Sequence, residues 1–441
     1  MTPNRPLLWL RALLWLYFAL IIGEGVLRKW VFPGLSDVIF IIRDPLVVLI
    51  YLFAWMSGRS LGGSHVIFLG LLAVLSLAFV FSTDTPWMVA LFGLRTNFLH
   101  LPLIFVMGST LDREDVRRYA RVCLWLAIPV VALMLVQFNS PRTAWVNVGV
   151  GGQESGQILG ALERIRPPGP FSFISGLVLF FNLTGAFVLA GWLHREGVSR
   201  VLLLVATVAC FVALPVSISR SLLFTALVIG AFGLMAALRD ARRLPRYFAP
   251  AIVAGVMLAA ATDSVYVEAF QTRWNDSLMS DRGSFESNIV DRVINDYTQP
   301  FQQALNAPLT GHGIGLGTLA GARLTTGKKV FLLAESEWSR IVLEIGPLLG
   351  FAFIGWRVWL AFALLLRSWR QLRLDGDPLA WLLAGAAFFP MLNSQWGPST
   401  HLGFAVFTAG LSLAALNPPE DEIAEETDDD EETEDAALKP T

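Results

Sequence analysis

The sequence predicts an all-α polytopic membrane protein of about 12 transmembrane helices with one large loop. Three observations predict it. First, the 441-residue chain is 55% hydrophobic and only 15% charged, with mean hydropathy +0.59, whereas a soluble chain carries about 25% charged residues. Second, apolar runs of about 16–22 residues recur throughout, each near the length that crosses a bilayer as a helix. Third, one polar insert, from about Asp263 to Trp338, is far longer than an ordinary connection.

Hydropathy places the spans in order. The first covers Leu7–Val26 and the second Val38–Met56, entered through Arg43-Asp44-Pro45. The third is Val66–Phe81, followed by a short segment Trp87–Leu94 and the fourth span, Thr96–Leu111. Next come Tyr119–Phe138, Phe171–Leu193, Val201–Val216, Leu222–Leu238 and Phe248–Thr262. After the insert follow Ile341–Leu366, Leu379–Leu392 and Leu402–Leu416. The chain thus divides into helices 1–9 over residues 1–262, the loop over 263–338, helices 10–12 over 339–416, and an acidic tail over 417–441. The tail has no aromatics and too little apolar surface to bury a core, so disorder is expected there. The apolar N-terminal run shows no clear cleavage site and reads as a retained span.

Arginine sets the orientation. Arg59, the group Arg113, Arg117, Arg118 and Arg121, the pair Arg195 and Arg200, the group Arg239, Arg242, Arg243 and Arg246, and the group Arg367, Arg370 and Arg373 fall in alternate loops. The positive-inside rule assigns these loops and both termini to the cytoplasm. The long loop then lies outside, in the periplasm of a bacterial cell with an outer membrane.

The outer side carries arginines that this rule does not explain. Arg166 opens RPPGPFSFISG and Arg164 lies two residues upstream. Arg220 sits in the very short turn SISRS, and Arg340 begins the tenth span. A central membrane arginine costs about 2.5–3.5 kcal/mol on insertion scales, so its presence calls for a reason. Its rigid fork of donors matches phosphate oxygens. Several such forks converging from separate turns make a phosphate or diphosphate site without a metal. The bland alternative is snorkelling, the head in water and the stem along lipid, and that suits Arg142, Arg273 and Arg323 best.

Within the loop, Ile289, Val290, Val293, Ile294 and Tyr297 repeat at helical spacing across Ser284–Gln303, predicting a lid helix on the membrane surface. The run Gly311-His312-Gly313-Ile314-Gly315-Leu316-Gly317 lacks the strand and helix of a nucleotide-binding loop, and reads as turned or flexible backbone over a site. Glu337, Arg340 and Glu344 share one helical face, with Glu335 just ahead; an ion-pair cluster and a catalytic role weigh evenly there. The two cysteines lie in apolar runs and the five histidines are scattered. No metal site, cofactor or disulfide is therefore expected.

RPPGPFSFISG (166–176), SISRSLL (217–223), PLTGHGIGLGT (308–318) and AESEWSRIVLEIGPLLG (334–350) occur in this order around one large outer loop. Together they resemble the O-antigen ligase and O-antigen/exopolysaccharide polymerase superfamily of bacterial envelopes. The resemblance covers residues 166–350 and, by topology, the whole chain. It implies a metal-independent C-type glycosyltransferase of the inner membrane that takes glycan from undecaprenyl diphosphate and passes it, with inversion, to a growing glycan acceptor. It implies that Arg166 and Arg220 hold the diphosphate; the residue pattern adds Arg340 to them, with Arg164 and Glu344 in support. Glu335 is the first candidate for general base, followed by Glu337 and His312. Ligases carry a His-Asn-type pair where this chain has Glu335-Ser336, which favours polymerase over ligase. Membrane lipid and other polysaccharide-assembly proteins are the expected partners; nucleic acid is not. A lipid-linked glycan transporter is the competing class, though no inverted pair of broken spans is visible.

Overall fold

The computed structural model describes residues 5–418 apart from 155, 195–196, 262, 280–284 and 329. The chain is all-helical: 74% is helix, with no strand among the described residues. In order the helices are α1 (Arg5–Val26), α2 (Ser36–Ile39), α3 (Arg43–Met56), α4 (Ser64–Val80), α5 (Trp87–Leu94), α6 (Leu103–Thr110), α7 (Arg113–Asn139) and α8 (Ile174–Leu193). They continue as α9 (Arg200–Val216), α10 (Arg220–Leu238), α11 (Leu244–Ala261), α12 (Val265–Met279), α13 (Phe285–Ala304), α14 (Leu319–Thr326), α15 (Glu337–Leu374), α16 (Leu379–Leu392) and α17 (Ser399–Ala414).

Among the described residues, seven helical segments are long and apolar enough to cross a membrane: Arg5–Val31, Pro33–Met56, Trp87–Thr110, Arg113–Asn139, Ile174–Leu193, Arg220–Leu238 and Glu337–Leu374. Shorter apolar helices, Ser64–Val80, Arg200–Val216, Leu244–Met257, Leu379–Leu392 and Ser399–Ala414, stand among them. The protein is a multi-pass membrane protein. Side chains such as Ile67, Val74, Val201 and Leu227 face outward, as expected where lipid replaces water and only the backbone must be satisfied within the helix.

Three span boundaries differ from the expected ones, two of them for an electrostatic reason. Trp87–Leu94 and the fourth span join through a π-helical turn, Arg95–Leu99. Arg95 can sit at that junction because it pairs with Asp44 and donates to the Phe40 carbonyl. The first span runs on through a second π turn, Leu27–Val31. There Arg28 pairs with Glu24 at 3.0 Å and Lys29 donates to the Gly169 carbonyl at 2.7 Å. The tenth span starts at Glu337 and reaches Leu374, bent at Gly346, whose φ of 82° lies in the left-handed region.

One end of the bundle is basic. Arg113 pairs with Asp375 at 3.0 Å, Arg117 with Asp377 at 3.4 Å, and Arg239 donates to the Arg373 carbonyl. Arg11 meets Asp115 there as well. The first residues of α10, α15 and α17 therefore stand at the opposite end, together with the last turn of α1. Aromatic packing fills the middle: Trp15 stacks on Tyr119 at 3.8 Å, and Phe18 on Phe407 at 5.1 Å.

The loop supplies α12, α13 and α14. The expected lid helix is α13, and it packs along α15 through Tyr297 against Trp338 and Phe301 against Phe351, both at 4.9 Å. Of its expected apolar stripe, Ile294 is exposed, while the side chains of Ile289, Val290 and Val293 lie outside the described residues. So does the acidic tail beyond 418.

The glycine run is a seam. His312 N–H donates to Leu343 O and Gly313 N–H to Glu344 O, pinning the run to the bend of α15. Thr85 Oγ1 donates to the His312 carbonyl from the other side. Gly313 has φ of 117°, and a Cβ there would run into Thr85; one at Gly346 would strike the Leu309 carbonyl. Glycine is needed here for close approach, and the run is turned tightly and packed.

Candidate functional site

At the end opposite the basic one lies a cavity of about 640 Å³. Its walls come from Arg28 at the end of α1, Asp37 and Phe40, Gln153, Ser172 and Phe173, the start of α14, Glu335 to Arg340, and Gln395 to Thr400. Chain segments far apart in sequence thus meet in one polar hollow.

A knot of charge closes one side of it. Glu337, Arg340 and Glu344 are all nearly fully buried. Arg340 makes four hydrogen bonds: Nε and Nη2 to the two Glu337 oxygens at 2.9 Å, Nη1 to Glu344 Oε2 at 2.6 Å, and Nη2 to Asn97 Oδ1 at 3.0 Å. Glu337 also receives Arg357 Nη1 at 2.9 Å. Arg357 spends its remaining donors on the Met391 and Ser394 carbonyls and lies over the Trp396 ring at 3.6 Å. Glu344 Oε1 accepts the Gly317 N–H at 2.8 Å, tying the glycine seam into the knot. Two acids and two arginines cancel, and nearly every lone pair and proton has a partner. A buried charge without such partners costs several kcal/mol.

A second group is built the opposite way. The hairpin-like turn bridged at Leu159 and Ile165 delivers Arg166, whose Nη2 donates to Ser219 Oγ at 3.3 Å. Ser219 precedes Arg220, the first residue of α10, which is exposed. The turn between α9 and α10 is strained: Ile218, β-branched and 1% exposed, has φ of 47°, a conformation that such residues rarely hold. Ser217 stabilises the turn by accepting the Ser219 N–H at 3.2 Å. Burial lowers the Arg166 pKa from its ordinary value, and the like charges of Arg273, on α12, and Arg220 lower it further. Arg166 thus lies within electrostatic reach of two further cations from two other segments, and no acid pairs with any of the three among the described residues.

The expected site residues fall into these groups unevenly. Arg166 and Arg220 share the cationic cluster. Arg340, Glu337 and Glu344 share the knot, so Arg340 offers no free fork edge and Glu337 is held by two arginines. That arrangement differs from the expected diphosphate-binding and base roles, and its reason is mutual neutralisation. Glu335 is exposed and lines the cavity, its carbonyl held by Gln395. His312 is exposed and contributes only its backbone to the seam; it does not line the cavity. Arg164 is spent on the Phe138 carbonyl at 3.4 Å and the Phe138 ring.

Sequence reasoning assigned Arg273 to snorkelling, gave Arg43 no role beyond the entry to a span, and passed over Arg28, Glu24 and Arg357 inside or at the ends of apolar runs. The signal was present: an ionisable side chain at bilayer depth is a functional or structural feature by default, and its partner is worth seeking. Comparison with protein-family models gives no match, and comparison with curated proteins gives none either.

Proposed function

We propose that this chain is a membrane glycosyltransferase of the outer face of a bacterial inner membrane. It extends oligosaccharide repeat units carried on undecaprenyl diphosphate, without a metal and with inversion. The observation that carries the reading is the uncancelled cluster Arg166, Arg220 and Arg273, in a chain whose motifs resemble envelope polysaccharide polymerases. Repulsion among three arginines is unfavourable in the resting protein and is relieved by a multiply charged anion. Diphosphate is such an anion, and arginine forks fit it bidentately. The strap from Arg166 to Phe173 runs from the cluster to the cavity wall, so a lipid-linked sugar held by its diphosphate has a polar hollow within reach.

The chemistry follows. An acceptor hydroxyl approaches the anomeric carbon from the face opposite the diphosphate. Glu335, exposed at the cavity and unburdened by an arginine, takes the hydroxyl proton. The C–O bond to the diphosphate breaks as the new glycosidic bond forms, and the arginine cluster stabilises the charge left on the departing group. Glu337, Arg340 and Glu344 fix the start of α15 and so position Glu335, rather than touching substrate. The orientation that this requires places both termini and the basic loops in the cytoplasm. A cysteine at position 242 is then labelled only after permeabilisation, and one at position 276 in intact spheroplasts; the reverse pattern removes the reading.

The deciding experiment incubates the purified, reconstituted protein with a lipid-diphosphate oligosaccharide. Longer lipid-linked glycans are expected. Transfer only to a lipid or protein acceptor assigns a ligase instead, and no glycosyl transfer at all, with lipid-linked glycan moved across vesicles, assigns a carrier.

A further inference from the structure

We propose that the floor of the cavity is a second oxyanion site, distinct from the arginine cluster, and that it takes the carboxylate of an acidic sugar. The inference rests on the glycan-transfer reading and names the kind of sugar that the cavity accepts.

Arg28 is the centre of the argument. It lines the cavity, yet is 8% exposed. Its Nη1 is used by Glu24 at 3.0 Å and by Ser172 Oγ at 3.5 Å. Its Nε is enclosed with no hydrogen-bond partner, and no bond is made by Nη2 to any described residue. The Nε–Nη2 edge is the one that grips a carboxylate with two parallel hydrogen bonds. Here that edge is left without a protein partner in a nearly closed place. The Phe40 ring lies beneath the guanidinium at 5.0 Å.

The charge around it does not balance. Glu24 is shared between Arg28 and Arg43, the latter at 3.1 Å, so one acid faces two cations. Glu24 also receives Ser399 Oγ at 2.7 Å, and Arg43 donates to the Ser399 carbonyl. Ser399 and Thr400 begin α17, whose N-terminus has no side-chain cap, and both line the cavity. The positive end of a 16-residue helix therefore adds to the same spot. Asp37 is within electrostatic reach of Arg28 but is paired with Arg323, so that it brings a cation with it and leaves the excess of one positive charge, and Glu337 is paired with two arginines. Glu335, without an arginine, is thus the acidic end of a hollow whose other end is cationic.

One free fork and one uncancelled charge suit a monoanion with two oxygens. Diphosphate carries more charge and has its match in the three arginines outside. The cavity's remaining walls suit a sugar ring: Phe173 and Phe331 expose apolar faces, and Gln153 and Gln395 present amides.

The test measures binding to the full-length protein in nanodiscs. The probes are a trisaccharide bearing one glucuronate, its carboxyl-reduced counterpart and inorganic pyrophosphate. Wild type is expected to bind the glucuronate form about tenfold to a hundredfold more tightly than the reduced form, the worth of a charge-assisted pair. Arg28→Gln should erase that preference while leaving pyrophosphate binding intact, and Arg166→Gln should do the converse. Equal binding of the charged and reduced trisaccharides overturns the proposal. Loss of pyrophosphate binding in Arg28→Gln, with the glucuronate preference unchanged, makes the floor a diphosphate site and overturns it too. Thr400→Val, which leaves the Glu24 pairs in place, is the second variant should Arg28→Gln fail to fold; it should narrow the preference severalfold. None of these readouts needs turnover. Absence of polymerisation with the preference intact removes the catalytic reading alone.

Discussion

The cationic cluster and the buried knot use the same residue types toward opposite ends. In the knot, Arg340 and Arg357 meet Glu337 and Glu344, all four are buried, and every charge is answered, either within about one helical turn or, for Arg357, from 20 residues along the bent α15. In the cluster, Arg166 feels the like charges of Arg220 and Arg273, and its hydrogen-bond partner across the segments is the neutral Ser219. A structural charge is one whose electrostatic work is finished when the chain folds. A functional charge is left with work to do. Sequence position does not separate the two, since Arg220 and Arg340 each lie in the first turn of an apolar helix at the same end of the bundle.

The largest effect should come from breaking the knot. Glu337→Ala leaves two buried arginines without their shared carboxylate, a change that costs about 3–5 kcal/mol when one partner of a buried pair is removed. Thermal unfolding in detergent should shift strongly downward, and yield should fall. Should Glu337→Ala fold with wild-type stability but lose glycosyl transfer, Glu337 belongs to the chemistry and the contrast between the two regions collapses.

The cluster should respond in the reverse manner. Arg220 is exposed, so Arg220→Lys is expected to leave thermal stability unchanged. Lysine keeps the charge and loses the fork, and hydrogen bonds to charged groups are worth about 1.5–3 kcal/mol each, so turnover should drop roughly tenfold to several-hundredfold. Arg220→Ala should lose more. Arg273→Gln, which removes the member delivered by the loop, should cost about tenfold or less and show as weaker donor binding. A snorkelling arginine tolerates lysine, so near-normal polymer length and rate in Arg220→Lys would return that residue to a purely structural account.

How much of this was legible in the sequence follows from the physics of each part. Apolar length showed the helices and their ends to within a few residues, because burial in lipid leaves a one-dimensional mark. The ends that moved, at Arg28–Lys29 and at Arg95, moved because a partner absorbed the charge: Glu24 one turn away for Arg28, and the distant Gly169 and Asp44 for Lys29 and Arg95. Such partners are invisible to a hydropathy window. The ion pair among Glu337, Arg340 and Glu344 was readable from spacings of three and four, but Arg357 joins from 20 residues away along α15. Arg273 looked like a surface charge until α12 brought it toward Arg166. The glycine run looked like a cradle or a loose cover, and only three-dimensional contact with Thr85 and the bend at Gly346 identified it as a seam.

The smallest expected effect links the lid helix to the proposed base. Asp296 lies on α13, outside the membrane-spanning segments. Partial burial, and after it the nearby Glu335 carboxylate, raise its pKa above the ordinary 3.8. The sign follows from proton binding: the folded lid holds the Asp296 proton more tightly than the unfolded segment does. Its docking is therefore tightest below the ordinary carboxylate value and weakens as pH rises through the raised one. Hydrogen exchange along α13, corrected for the intrinsic pH dependence of exchange, should show protection falling across that window in the wild type. Asp296→Asn should flatten the profile. Glu335→Gln should move the wild-type transition to lower pH without flattening it, because it removes the charge and leaves the burial. Identical profiles for wild type and Asp296→Asn would separate the lid from Glu335 and leave the two regions, knot and cluster, without an electrostatic link through the loop.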